Sequence, residues 1–326
     1  MPQIRFRGGY GPTLRCHPYN FTPICYNAGL EIPGFFFIGR GRTVSMQQWD
    51  TVAIVGVGLI GGSIGLALRE RQLARRVVGI GRRELSLQIA KDVGTIDVST
   101  TNMATGVAEA NLVIVCTPVA QIVGHVRQAA AHVPAGTLIT DVGSTKQQIV
   151  DSLADDMQAG LAFVGSHPLA GSEKTGPNQA QGNLLSDRLV VVTPSQHNQP
   201  ADIEKIEQFW DSLGARVLRM PPDEHDRALA ATSHLPHLAA AALAAATPAE
   251  WLSVVASGWL DTTRIAAGDV ELWTQIFESN RAQVLEALTR LEVSLADFRA
   301  ALEQNDQTAL GKLLAEAKQR RDAANT

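Results

Sequence analysis

The segment Val52-Ala53-Ile54-Val55-Gly56-Val57-Gly58-Leu59-Ile60-Gly61-Gly62-Ser63 constrains this chain more than any other. Val52–Val55 is a short, unbroken apolar run, the pattern of a parallel strand covered on both faces. Gly56, Gly58 and Gly61 follow in G-x-G-x-x-G spacing. The first glycine permits a tight turn, the second lets backbone approach a pyrophosphate, and the third lets the next helix pack closely on the strand. A helix from Gly61 to about Arg71 would point free N–H groups and its positive dipole end at that phosphate. A second strand, Arg76–Ile80, comes next, completing a strand–loop–helix–strand unit. The spacing therefore predicts a dinucleotide site at Gly56, Gly58, Leu59, Ile60 and Gly61, with Thr117 added just past the apolar run Leu112–Cys116. The competing reading is a tight turn with nothing bound.

The end of the second strand bears on which dinucleotide. NAD sites usually carry an acid there to bind the ribose 2′-hydroxyl. This chain instead reads Gly79-Ile80-Gly81-Arg82-Arg83. Two guanidinium groups suit a 2′-phosphate, where a carboxylate would repel it. The expectation is NADP slightly ahead of NAD, against a reading of Arg82 and Arg83 as a solvated helix start.

With 326 residues, 45% of them hydrophobic and 18% charged, the chain has room for two soluble domains. A net charge of −4 argues against nucleic acid as the main partner. Cys16, Cys25 and Cys116 form neither metal-ligand spacing nor a disulfide framework, and Cys116 reads as a core thiol. This fits a reducing cytoplasm. No apolar run reads as long enough to span a membrane.

Residues 1–48 show no regular period and read as an irregular, non-native upstream extension, with Met46 as the expected biological start; a targeting segment, which the basic residues support mildly, is the rival reading. Residues 49–222 alternate strand and helix patterns. Strands are expected at 52–55, 77–80, 112–116, 137–140, 162–164, 189–193 and 216–219, implying a doubly wound, mostly parallel Rossmann-type sheet. Residues 223–326 show only helical patterns. Leu238–Ala246 is apolar all round, so it is expected to be buried or to meet a second copy of the chain.

Candidate catalytic residues cluster in short motifs. His167, in Gly165-Ser166-His167-Pro168, follows an apolar strand. Ligands of open α/β sheets bind outside the carboxyl ends of strands, where a neutral imidazole can accept a hydroxyl proton as hydride leaves. Ser144 follows another strand, and its spacing to Gln147 is that of a capping box. Lys146 is either an anion contact or surface. Ser233 and His237 share one helical face in Ser233-His234-Leu235-Pro236-His237, with Pro236 as a kink or a first-turn residue. Both can equally be core residues, and no ligand set for a metal accompanies them. Arg264 is either a carboxylate clamp or the partner of Asp261 or Asp269. Trp273 and Asn280 are candidates to line the same cleft.

The chain resembles the prephenate/arogenate dehydrogenase family of tyrosine biosynthesis. The resemblance runs over roughly residues 50 to 300 and rests on five ordered motifs: the glycine loop at 57–63, Asp-Val-Gly-Ser-x-Lys at 141–146, Gly-Ser-His-Pro-Leu-Ala-Gly at 165–171, Ser-His-Leu-Pro-His at 233–237, and Thr-Arg-Ile-Ala at 263–266 followed by Trp273. It implies that His167 is the catalytic histidine that bonds the ring hydroxyl and that Ser144 orients that hydroxyl. It implies that Ser233 and His237 line the substrate pocket, that Arg264 holds a substrate carboxylate, and that the helical domain forms a homodimer. No chorismate mutase segment or regulatory domain is expected, so tyrosine inhibition would act at the active site. Other Rossmann-plus-helical dehydrogenases of the β-hydroxyacid type, or a non-catalytic dinucleotide-binding regulator, are the alternatives.

Overall fold

The structure is a computed structural model that describes residues 36–38, 48–170 and 176–324. Cys16, Cys25, Met46 and Gly171 lie outside the described residues, as does most of the 1–48 extension.

Among the described residues nine strands form one sheet: β1 (Phe36–Ile38), β2 (Trp49–Val55), β3 (Ala74–Ile80), β4 (Val98–Thr100), β5 (Leu112–Val115), β6 (Leu138–Asp141), β7 (Phe163–Pro168), β8 (Leu189–Thr193) and β9 (Arg216–Arg219). Their order is β1-β9-β8-β7-β6-β5-β2-β3-β4. Strands β2 to β7 pair in parallel, in the doubly wound arrangement. Strand β8 turns antiparallel to β7, and β9 lies parallel to β8. All seven expected strands are present, with ends shifted by up to a few residues. Two were not expected. The three-residue β4 is too short for a period-2 pattern to register. Strand β1 falls in the stretch read as irregular and pairs antiparallel with Val217–Arg219 of β9.

The helices between the strands are α1 (Leu59–Glu70), α2 (Glu84–Asp92), α3 (Met103–Val107), α4 (Val119–Ala130), α5 (Gln147–Ser152), α6 (Ala154–Gln158) and α7 (Pro200–Ser212). Alternate residues of β2 enter opposite cores. Val52 and Ile54 pack with Phe209 and Trp210 of α7, whereas Ala53 and Val55 pack with Ile122 and Val126 of α4. All four β2 residues are at most 3% exposed, which is why the run lacks polar alternation.

After β9 the chain is helical: α8 (Pro222–Leu229), α9 (Leu235–Ala246), α10 (Ser257–Thr263), α11 (Val270–Ser279), α12 (Arg281–Glu303) and α13 (Gln307–Ala323). A π turn, Ala230–His234, joins α8 to α9. It has a local cause. Pro236 has no N–H to give the carbonyl of Thr232, so the hydrogen-bond ladder widens before it. Pro236 thus opens α9. Through this turn Pro222–Ala246 runs as one 25-residue helix, long and apolar enough by length and composition to cross a membrane, with a mean hydropathy of 1.2 over an 18-residue window. This corrects the reading that no run reaches that length. The same helix begins with Asp223, Glu224, Asp226 and Arg227 and lends its buried His225, Asp226, His234 and His237 to a polar network.

Candidate active site

The carboxyl ends of β2, β5, β6 and β7 open onto one edge of the sheet, and each is followed by candidate residues. After β2, Gly56 adopts φ +94, a backbone region closed to most side chains. A Cβ there would lie 2.6 Å from the Cys116 carbonyl oxygen and 3.0 Å from Thr117 Cγ2. A Cβ on Gly61 would lie 2.2 Å from the Gly56 carbonyl oxygen. These two glycines are required by the fold itself. Gly58 differs, because a Cβ there meets nothing within 4 Å. Helix α1 begins at Leu59, two residues earlier than expected, with Gly58 as its N-cap and no side chain capping it. The first-turn N–H groups of Leu59, Ile60 and Gly61 have no intrahelical acceptors, and the space beside Gly58 is open, which fits a pyrophosphate. Cys116 backs this loop half-buried rather than fully enclosed, and burial beside Asp141 pushes its thiol pKa up. Arg82 and Arg83 follow β3 and are exposed, Arg83 as the N-cap residue of α2.

After β6, the expected capping box does not form. Helix α5 starts at Gln147 with no cap bond from its own neighbours, and Ser144 lies outside it. The cap comes from across the molecule. The Asp226 carboxylate accepts from the backbone N–H of Lys146 at 2.8 Å and of Gln147 at 2.9 Å. Both an acceptor for orphan donors and a negative charge at a helix N-terminus are thereby supplied by α8. Ser144, freed from capping, is partly exposed at the sheet edge. Lys146 is not a surface residue. Its side chain is fully buried, ion-paired with Asp141, and donates to the Ser166 carbonyl at 2.9 Å.

His167 lies within β7, one residue from its end, and is 8% exposed. Its Nδ1 is 2.9 Å from His225 Nε2, and His225 Nδ1 is 2.8 Å from Asp226 Oδ1. The proton positions follow from chemistry. A carboxylate only accepts, so His225 Nδ1 carries a proton and Nε2 does not. His167 Nδ1 must then donate to His225, leaving His167 Nε2 with a lone pair. Burial holds the pKa of His167 well below its ordinary value, reinforced by His225, Lys146 and His234. His225 is lowered in the same way by burial, Lys146 and His234. The pair is neutral at neutral pH, so His167 Nε2 is a proton acceptor held in one tautomer.

His225 and Asp226 escaped the sequence reading because they form no motif. Their signal was periodic: counted back from the buried Leu229 and Ala230, both fall on the inward face of α8. Asn280 ties the network together by donating to the Asp226 carbonyl at 2.7 Å and approaching His234 Nδ1 at 3.1 Å. Burial lowers the His234 pKa to about 4, with Asp226 opposing the shift.

A second cluster gathers around His237. Its ring stacks on Trp273 at 3.6 Å with 14° between planes, and its Nδ1 is buried without a hydrogen-bond partner among the described residues. A Cβ on Gly268 would lie 3.0 Å from His237 Cε1, so the turn Arg264–Ala267 ends against this ring. Arg264 is exposed on that turn and makes no ion pair with Asp261 or Asp269. Ser233 is partly exposed in the π turn, on the same continuous helix as His237.

Two families of domains match in tandem: the prephenate dehydrogenase nucleotide-binding domain over residues 64–219 and the prephenate dehydrogenase dimerization domain over residues 221–316. Among curated proteins, a prephenate dehydrogenase of Bacillus subtilis is 34% identical over 283 residues, covering 85% of this chain and 76% of that one. A cyclohexadienyl dehydrogenase of Zymomonas mobilis is 33% identical, covering 86% of this chain and 98% of that one. Among solved structures, Aquifex aeolicus prephenate dehydrogenase in complex with hydroxyphenyl propionate and NAD+ superposes with a TM-score of 0.79 at 30% identity, covering 87% of this chain and 100% of that one. Synechocystis arogenate dehydrogenase gives 0.74 at 26% identity, covering 84% and 99%. Matching both domains in tandem, over residues 64–219 and 221–316, the chain belongs to the prephenate dehydrogenase family.

Proposed function

We propose that His167 is the catalytic base of an NAD(P)-dependent oxidative decarboxylation of a cyclohexadienyl substrate. The substrate is prephenate, giving 4-hydroxyphenylpyruvate, or arogenate, giving tyrosine. The observation that carries the proposal is the Asp226–His225–His167 chain, which leaves Nε2 of His167 as an acceptor at the sheet edge. Gly56, Gly58, Leu59, Ile60, Gly61 and Thr117 would hold the dinucleotide, with Arg82 and Arg83 favouring a 2′-phosphate. Bound there, the nicotinamide supplies the hydride acceptor.

The residues then divide the work. His167 Nε2 takes the proton of the ring hydroxyl as hydride departs from the same carbon. The ring carboxylate leaves as CO2, and its bonding electrons complete the aromatic ring. Ser144 orients the hydroxyl. Arg264 binds a carboxylate as a bidentate fork, while Ser233 and His237 line the pocket. Most of the catalysis is positioning and charge stabilisation, since aromaticity supplies the driving force. We place the active protein in the cytoplasm as a homodimer. Among the described residues of the helical domain the buried apolar residues are few and mostly alanine (Leu229, Ala230, Ala240, Ile276, Val284, Ala287 and Ala301), while Leu260, Val293, Leu295 and Leu302 are more than half exposed. Exposed apolar surface of this kind marks an interface.

The test crosses prephenate and arogenate with NAD and NADP and follows reduced-cofactor absorbance. Turnover in any combination is expected, and the fastest identifies both specificities. In His167→Asn, turnover is expected to fall by about 10²–10⁴-fold with cofactor binding retained. Silence in all four combinations, or parallel loss of binding and turnover in the variant, would overturn the assignment.

A further inference from the structure

His125 belongs to no sequence motif and has no role in the chemistry above, yet it sits beside the cofactor cradle. Strands β3 and β5 flank β2 in the sheet, so Arg82 after β3 and Thr117 after β5 stand on either side of the glycine loop. Thr117 touches that loop directly, its Cγ2 lying 3.0 Å from where a Gly56 Cβ would be. Helix α4 begins two residues later, and His125 reaches back from it to place Nδ1 3.0 Å from Thr117 Oγ1. The imidazole is half-buried, and its Nε2 has no hydrogen-bond partner among the described residues. Burial lowers the His125 pKa, and the positive charge of Arg82, at the end of the strand on the other side of β2, adds to that shift.

We propose that His125 is a specificity-determining contact for the adenosine end of the dinucleotide, presenting Nε2 to the ribose 2′ substituent beside Arg82. The Thr117 hydroxyl is able to donate to Nδ1 as well as accept from it; in the tautomer proposed, it donates and Nε2 carries the proton. That N–H donates to an oxygen at the 2′ position. A phosphate there is the better acceptor, because hydrogen bonds to a charged partner are roughly twice as strong as neutral ones. Arg82 supplies charge and His125 supplies direction. This inference rests on the reading of Arg82 and Arg83 as a 2′-phosphate site.

The test is calorimetric binding of adenosine 2′,5′-bisphosphate and of 5′-AMP to the full chain, which reads the site without turnover. The parent is expected to bind the bisphosphate more tightly than AMP. His125→Ala is expected to weaken the bisphosphate about tenfold, the loss of one charge-assisted hydrogen bond, and AMP much less. His125→Gln, which keeps a donor near Nε2, is expected to recover part of that loss and also controls for damage to α4. If the gap between the two ligands survives His125→Ala but shrinks in Arg82→Gln, the role of His125 is overturned and the 2′-phosphate reading stands. Equal weakening of both ligands means His125 only supports the loop, which also overturns it. No gap in the parent, and none changed by Arg82→Gln, removes both readings together.

Discussion

Replacing His225 with phenylalanine isolates the tautomer argument. The ring stays, so the volume beside His167 is roughly kept, but the acceptor for His167 Nδ1–H disappears. At 2.9 Å that bond is a good one, and both histidines are buried. A buried donor left unpaired costs about 1–3 kcal/mol. His167 avoids that cost by moving its proton to Nε2, the atom that must accept the substrate proton. The reactive tautomer is then depleted by the same free energy, which converts to about 5- to 150-fold at 1.4 kcal/mol per decade. kcat is expected to fall by about that factor in a steady-state assay of cofactor reduction, with KM changed only a few-fold. His225→Gln, whose side-chain carbonyl can accept from Nδ1–H, is expected to restore most of the rate. Asp226→Asn is expected to cost less in kcat than His225→Phe. One orientation of its amide keeps the bonds to Lys146 N and His225 and gives up only that to Gln147 N. If folded His225→Phe keeps kcat within about threefold of the parent, the chain does not set the tautomer and the reasoning fails.

The pH dependence follows from the buried imidazoles. An acceptor His167 must be neutral, and its pKa is held well below 6.5, so kcat/KM is expected to stay flat through pH 6.5 and fall only well below it. A limb near pH 6.5 tracking His167 would contradict its burial. Stability shows the same sign. The unfolded chain protonates its histidines near pH 6.5, whereas folded His234 does so only at about 4. Its stabilising contribution is therefore complete above 6.5 and is lost as pH falls towards 4, which denaturant melts across that range would record. Two glycine variants should separate fold from function. Gly56→Ala drives a methyl into the Cys116 carbonyl at a positive φ and is expected to lower stability by about 1–3 kcal/mol. Gly58→Ala meets no protein atom and is expected to melt like the parent while binding AMP or NAD at least tenfold more weakly by calorimetry. Lys146→Met leaves Asp141 as an uncompensated buried charge and is expected to cost about 3–5 kcal/mol in chemical denaturation. Leu260→Asp, on an exposed apolar position of α10, is expected to shift the protein towards monomer in sedimentation; an unchanged monomeric parent would refute the dimer.

The sequence by itself determined whatever depends on neighbours along the chain. Val52–Val55 had to be a covered strand, because no polar residue interrupts it, and the glycine spacing required the turn that follows. The period of residues 223–326 required helices. His167, Ser144, Ser233, His237 and Arg264 stood out because each sits in a short, ordered motif. What only the tertiary structure decided are the relations between residues far apart in the chain. Ser144 and Gln147 have the spacing of a capping box, but a carboxylate 79 positions away from Gln147 caps that helix instead. Lys146, polar and ambiguous as a letter, is buried because Asp141 and the Ser166 carbonyl surround it. His225 bonds His167 across 58 positions, and that contact, with Asp226 setting the tautomer of His225, fixes which nitrogen of the catalytic candidate is free to accept a proton. A motif records what a residue type can do. Its protonation state is set by the charges and hydrogen bonds that folding brings to it, and no local pattern encodes those.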